Sequence, residues 1–230
     1  MEIVTTAAGW VALLRWLHLM AGVCWIGLLW YFDFVQTPFF ESELGAPARR
    51  SVVRGLMPSM LRWLRWSATF AVLAGLSLAL ISFREGPALT GPYATQILTG
   101  GLVGILLWIN VWFAIRPAER DLIAGSEPGA GGADATRQLL PRAAVACRIS
   151  TLLSIPMLFL MSSASHFHFA EGDNWLLYWL ITGALLLLVE LPALTAPGFP
   201  IRKLVRSVPS TISAGLGLTL VFYLIGVVVP

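Results

Sequence analysis

The chain has 230 residues, 57% of them hydrophobic and 12% charged, with mean hydropathy +0.80; a water-soluble domain carries about twice that charge fraction, so the composition points to a bilayer as solvent. The net charge of +3 argues for no nucleic-acid partner, because the basic residues flank hydrophobic stretches and read as determinants of topology. Cys24 and Cys147 sit in apolar segments at different depths, which argues against a disulfide framework, and the sequence holds no C-x-x-C-H for covalent haem attachment.

A hydrocarbon core of about 30 Å needs roughly 20 apolar residues in a helix. Six segments qualify in chain order: about 10–32, 63–83, 95–116, 146–168, 174–196 and 209–229. Glu2 is the only charge before Arg15, which is not the pattern of a cleaved signal peptide, so the first span is expected to stay in the mature protein. Breakers fill the connections: Gly86, Pro87, Gly91 and Pro92; Pro117 and the run Gly129 to Gly132; Pro197, Gly198 and Pro200. The expectation is an all-α polytopic bundle forming a single transmembrane domain over 1–230.

Orientation follows from Lys and Arg. Thirteen of the fifteen lie in the connections after spans 1, 3 and 5, whereas the opposite side has only Arg15 and Arg84. The positive-inside rule then places both termini outside the cytoplasm, as in a multi-pass protein of a bacterial inner membrane. Within the first connection, residues 45–60 combine arginines with Val52, Val53, Leu56 and Met57. They fit an amphipathic helix along the interface and a solvated loop about equally.

Ionisable groups inside spans are costly, so each is a candidate functional residue. His18 lies about 12 Å into span 1, and Arg15, His18, Gly22 and Trp25 share one helical face. Gly22 leaves a bare surface on which a flat macrocycle could stack, or it lets another helix approach. His166 and His168 end span 4, at the outer depth of His18. Being two residues apart they point to different sides, and His166 is the one expected to face the bundle. Two imidazoles from facing helices are a standard way to hold haem iron, so His18 and His166 are candidate axial ligands of a b-type haem. The alternative is a pair of interfacial hydrogen-bonding histidines. Arg15 would either pair with a haem propionate or extend to the outer interface. Toward the cytoplasm, Asp33, Asn110, Arg116 and Glu190 form a second polar set. Glu190, amid leucines, is expected to face the bundle and to hydrogen-bond Asn110 or Arg116; a proton or quinone-headgroup role is the alternative. Gly100, Gly101 and Gly104 read as a helix-packing face.

The run Arg15-Trp16-Leu17-His18 with Gly22, Trp25, Ile26 and Gly27 resembles the opening helix of the membrane domain of bacterial cytochrome-c-linked urate oxidases. Asn110-Val111-Trp112-Phe113 with Arg116-Pro117, and Ser150 to Phe159 leading to Ser165-His166-Phe167, are similar to that family's third and fourth helices, and Glu190-Leu191 also fits. The similarity spans nearly the whole chain. It implies an electron-transfer scaffold with cytochrome c or other membrane subunits as partners. Two departures bear on urate turnover: the first connection is short with no C-x-x-C-H thereafter, and Arg62-Trp63 stands where the family has a histidine before the tryptophan. Three functions are therefore in competition. They are a haem b electron-transfer subunit, a haem-free structural subunit of a larger membrane redox or photosynthetic complex, and a urate-oxidising enzyme.

Overall fold

The computed structural model describes residues 6–84, 91–117, 120, 123, 133–167, 169–172, 174–194, 205 and 207–229, with the backbone alone for 133–144 and 192–194. In chain order the helices are α1 (Ala7–Trp30), α2 (Thr37–Glu41), α3 (Gly45–Gly55), α4 (Met57–Arg84), α5 (Gly91–Ile109), α6 (Ala133–Ser163), α7 (Trp175–Leu194) and α8 (Val208–Val228). Two π-helical stretches, Tyr31–Gln36 and Asn110–Ile115, continue α1 and α5 without a break. Among the described residues there is no strand, and the architecture is the expected all-α polytopic bundle. His168 and the breakers at 86–87, 129–132 and 197–200 lie outside the described residues, as do the side chains of Arg137, Arg142, Arg202, Lys203 and Arg206.

Among the described residues, five helices are long and apolar enough to cross a membrane: Ala7–Glu41, Met57–Arg84, Gly91–Ile115, Val145–Ser163 and Val208–Val228. The span expected at 174–196 corresponds to α7, a helix of 20 residues whose side chains are described over Trp175–Leu191. Residue placement is inverted relative to a water-soluble domain. Leu176, Phe113 and Val228 are 75%, 73% and 76% exposed, whereas Asp33, Gln96, Asn110 and Glu190 are buried. Apolar surface outside and hydrogen-bonding groups inside is the arrangement that a hydrocarbon solvent favours.

Local signals explain the helix starts. The Thr6 hydroxyl accepts from the Gly9 amide at 3.1 Å and caps α1. Ser207 and Ser210 form a reciprocal capping box at α8, with Pro209 in its first turn. Gly91 opens α5 at φ +77°, a conformation that disfavours any residue with a Cβ. Residues 45–55 form a helix rather than a loop; its Val53 is buried against the bundle, Arg50 and Arg54 are exposed, and Arg49 lies over the Phe40 ring, 5.7 Å from its centroid.

Packing follows the buried stripes. Met57, Leu61, Leu64, Ala68 and Ala71 recur at three- and four-residue intervals on α4 and meet Trp25, Ile26 and Leu29 of α1. On α8 the buried stripe is Thr211, Gly215, Leu218, Phe222 and Gly226, and it faces α6. Pro156 cannot donate to the carbonyl of Leu152; Gly215 lies against that oxygen, and a Cβ there would stand 3.0 Å from it. Gly100 and Gly104 pack on Met161 and Met157 of α6 as expected, but Gly101 faces open space and is not part of that contact.

Candidate functional site

His18 projects from α1 toward α4, half-buried, with its Nδ1 2.8 Å from the carbonyl oxygen of Ala71. A carbonyl can only accept, so Nδ1 carries a proton, and Nε2 is the nitrogen this contact leaves open. Gly75, one turn along α4, makes the approach feasible, since a Cβ there would stand 3.0 Å from His18 Cε1 and 3.2 Å from Nδ1. A backbone carbonyl on one ring nitrogen is the usual device that fixes the tautomer and aim of a metal-ligating histidine. It equally satisfies a histidine that only packs.

Of the residues sharing its face, Gly22 has no atom within 4 Å of a built Cβ. Among the described residues no helix comes into contact distance of a Cβ at Gly22, which leaves open surface beside His18. Arg15 is exposed. Trp25 instead joins the core, and its indole Nε1 has no hydrogen-bond partner among the described residues.

His166 is placed differently from the expectation. The helix stops at Ser163 rather than running to 168, so His166 lies in the following turn, where its amide donates to the Ser163 carbonyl at 2.8 Å. Its exposed ring has Nδ1 3.1 Å from the Ser165 hydroxyl. The levels can nevertheless be compared, because Trp30 Nε1 donates to the Ser154 hydroxyl at 2.8 Å across α1 and α6. From that bond His18 lies about 18 Å along α1, and α6 continues about 13 Å in the same direction before it ends. Both histidines are thus at one end of the bundle. No hydrogen bond or ring contact joins them among the described residues.

At the opposite end, two π stretches deliver polar side chains to α6. The wider i→i+5 turn is a frequent feature of functional sites in helices. Asp33, in the first stretch, is 2% exposed and pairs with Arg148, Nε to Oδ1 at 3.2 Å. Arg148 Nη1 also donates to the carbonyl of Val205 at 2.9 Å. Asn110, at the start of the second, donates to the Ser150 hydroxyl at 3.3 Å. Glu190 is 5% exposed with Asn110 beside it, yet neither carboxylate oxygen has a hydrogen-bond partner among the described residues. Asn110 is thus the expected neighbour of Glu190, whereas Arg116 is not. Ser150 takes the Asn110 amide, and Arg116 turns outward to lie over the Trp112 ring, 5.3 Å from its centroid.

Sequence reasoning missed Arg148, read as a loop cation, and Ser150, Thr151 and Ser154, read only as part of a string. The signal was present: Ser150, Thr151 and Ser154 fall at helical spacing on one face, with Arg148 three residues before Thr151. A further polar group was also missed, in which Gln96 donates to Ser163 at 2.8 Å and Thr99 and Tyr178 share a hydrogen bond at 2.7 Å.

Because a neutral amide can stay beside Asn110 while removing a costly buried charge, Glu190→Gln is expected to leave the purified protein folded, with a thermal midpoint equal to or above that of the wild type. A clear fall in the midpoint in the same detergent would show that the carboxylate holds the bundle together.

No family model, curated protein or solved structure matches the chain, so the likeness to the urate oxidase membrane domain rests on the residues quoted for it.

Proposed function

We propose that this chain is a membrane-embedded electron-transfer subunit that holds a b-type haem through His18 and His166 near the outer leaflet. The observation that carries the reading is the His18 Nδ1 bond to the Ala71 carbonyl, which leaves Nε2 as the nitrogen able to ligate. The residues fit such a group in part. His18 has its Nδ1 held by the Ala71 carbonyl beside the open surface at Gly22, and His166 sits in an exposed turn at the same end of the bundle. Bound haem would supply one-electron chemistry. The chain's own contribution would be to hold the imidazole of His18 in place, to offer the Arg15 guanidinium to a carboxylate at the outer surface, and to keep the surroundings apolar. Cytochrome c or another subunit of a membrane complex would exchange the electrons.

A second reading, a haem-free structural subunit of a larger redox or photosynthetic complex, is favoured by the position of His166 beyond the end of α6. Urate oxidation is a third reading, supported only by the quoted resemblance. A reduced-minus-oxidised spectrum of purified protein separates the first two, and urate consumption with added cytochrome c tests the third.

Six crossings with both termini external complete the proposal, on the strength of the basic residues. Single cysteines at 130 and 171 in intact cells are expected to differ: an impermeant thiol reagent labels 171 and spares 130. Labelling of 130 alone would reverse the orientation.

A further inference from the structure

At the arginine-rich end of the bundle, the packing of α1 against α4 leaves a cleft on its outer surface. An open groove of about 470 Å³ runs between them, walled by Val23, Gly27 and Leu28 on one side and Met60 and Trp63 on the other. Its walls are apolar, and Trp63 is 66% exposed. Gly27 keeps the groove open, since a Cβ at that position would meet nothing within 4 Å.

The end of the groove is different in kind. Ser59, in the first turn of α4, is its polar member, and the guanidinium of Arg62 donates to the Ser59 hydroxyl at 3.1 Å. Immediately before it in the chain comes α3, with Arg49, Arg50 and Arg54 on a helix whose Val53 is anchored in the bundle. The order along the groove is therefore cation and hydroxyl first, then an aromatic ring, then hydrocarbon. Those are the layers of one leaflet: headgroup, interface and acyl chain.

We propose that this groove is a binding site for an anionic glycerophospholipid, with its phosphate on Arg62 and Ser59 and one acyl chain laid between α1 and α4. Charge complementarity selects the occupant. A zwitterionic lipid could fill the apolar part equally well, but only a net negative headgroup gains from the Arg62 guanidinium at the polar end. The site lies away from His18, and the proposal holds whether or not the chain carries haem.

Native mass spectrometry of the detergent-purified full chain, after reconstitution into bilayers of equal phosphatidylglycerol and phosphatidylcholine, tests it. The wild type is expected to retain one phosphatidylglycerol in preference to phosphatidylcholine by about fivefold or more, the gain from one interfacial basic residue. Arg62→Gln should bring the preference close to one while retaining lipid. Gly27→Leu, which fills the groove from a position with free space around it, should reduce retention of both lipids. A wild type that holds both lipids equally, or an Arg62→Gln variant with an undiminished preference, would overturn the proposal. Thermal midpoints of both variants near that of the wild type are expected, because Arg62 is exposed and Gly27 is uncrowded.

Discussion

Arg148→Met is expected to destabilise the bundle by about 3–5 kcal/mol, the cost of leaving one member of a buried ion pair without its counter-charge. Asp33 is 2% exposed and its Oδ1 depends on Arg148. The same guanidinium reaches the Val205 carbonyl, so one side chain joins the continuation of α1, the start of the apolar part of α6 and the approach to α8. Replacing it therefore unties three segments together. Asp33→Asn should cost less, since an amide oxygen in the same place still accepts from Nε and no orphan carboxylate remains. Adding Asp33→Asn to Arg148→Met should recover part of the loss. The check is thermal unfolding of the four proteins in one detergent. Equal midpoints for wild type and Arg148→Met would mean that the pair does not hold this end of the bundle together.

The class of fold was legible in composition and in runs of about 20 apolar residues, because bilayer thickness imposes both. The ends of helices were less so. Span 4 was carried to 168 because Ala164 to Phe167 remain compatible with a helix in pattern, whereas the chain turns at Ser163 with the amides of His166 and Phe167 both donating to the carbonyl of that residue. The π stretches at Tyr31–Gln36 and Asn110–Ile115 left no mark that a 3.6-residue period detects, and they decide which way Asp33 and Asn110 face. Pairing across helices was the least legible. Glu190 was identified as a buried acid from its apolar neighbours alone and Asp33 only as one of a polar set, but what each meets depends on which faces of α6 and the second π stretch come together. His18 was identified in the same way. Ala71 and Gly75, which hold and accommodate its ring, look from the sequence like any small residues of a membrane helix.

His18→Ala is expected to abolish the low-spin b-type spectrum entirely, the largest effect on function among the substitutions considered. A ring anchored through Nδ1 to the Ala71 carbonyl has a single nitrogen left for iron, and no other described side chain on that face of α1 replaces it. His166→Ala should also remove the low-spin band, because bis-histidine coordination needs both rings. His168→Ala should leave it intact. Gly75→Val is a further check that does not touch a ligand. It crowds His18 against α4, where a Cβ alone would stand 3.0 Å from Cε1, and is expected to shift or weaken the band while the protein stays folded. An unchanged band in both His18→Ala and His166→Ala would remove the two histidines from any role as ligands.

The most direct test of the electron-transfer reading is the reduced-minus-oxidised absorption spectrum of the wild-type protein, expressed with ample haem supply and purified in mild detergent. The proposal predicts a b-type α band with about one haem per chain and the low-spin signature of two nitrogen ligands. Colourless, folded protein from such a preparation would contradict it and leave the structural-subunit reading in its place.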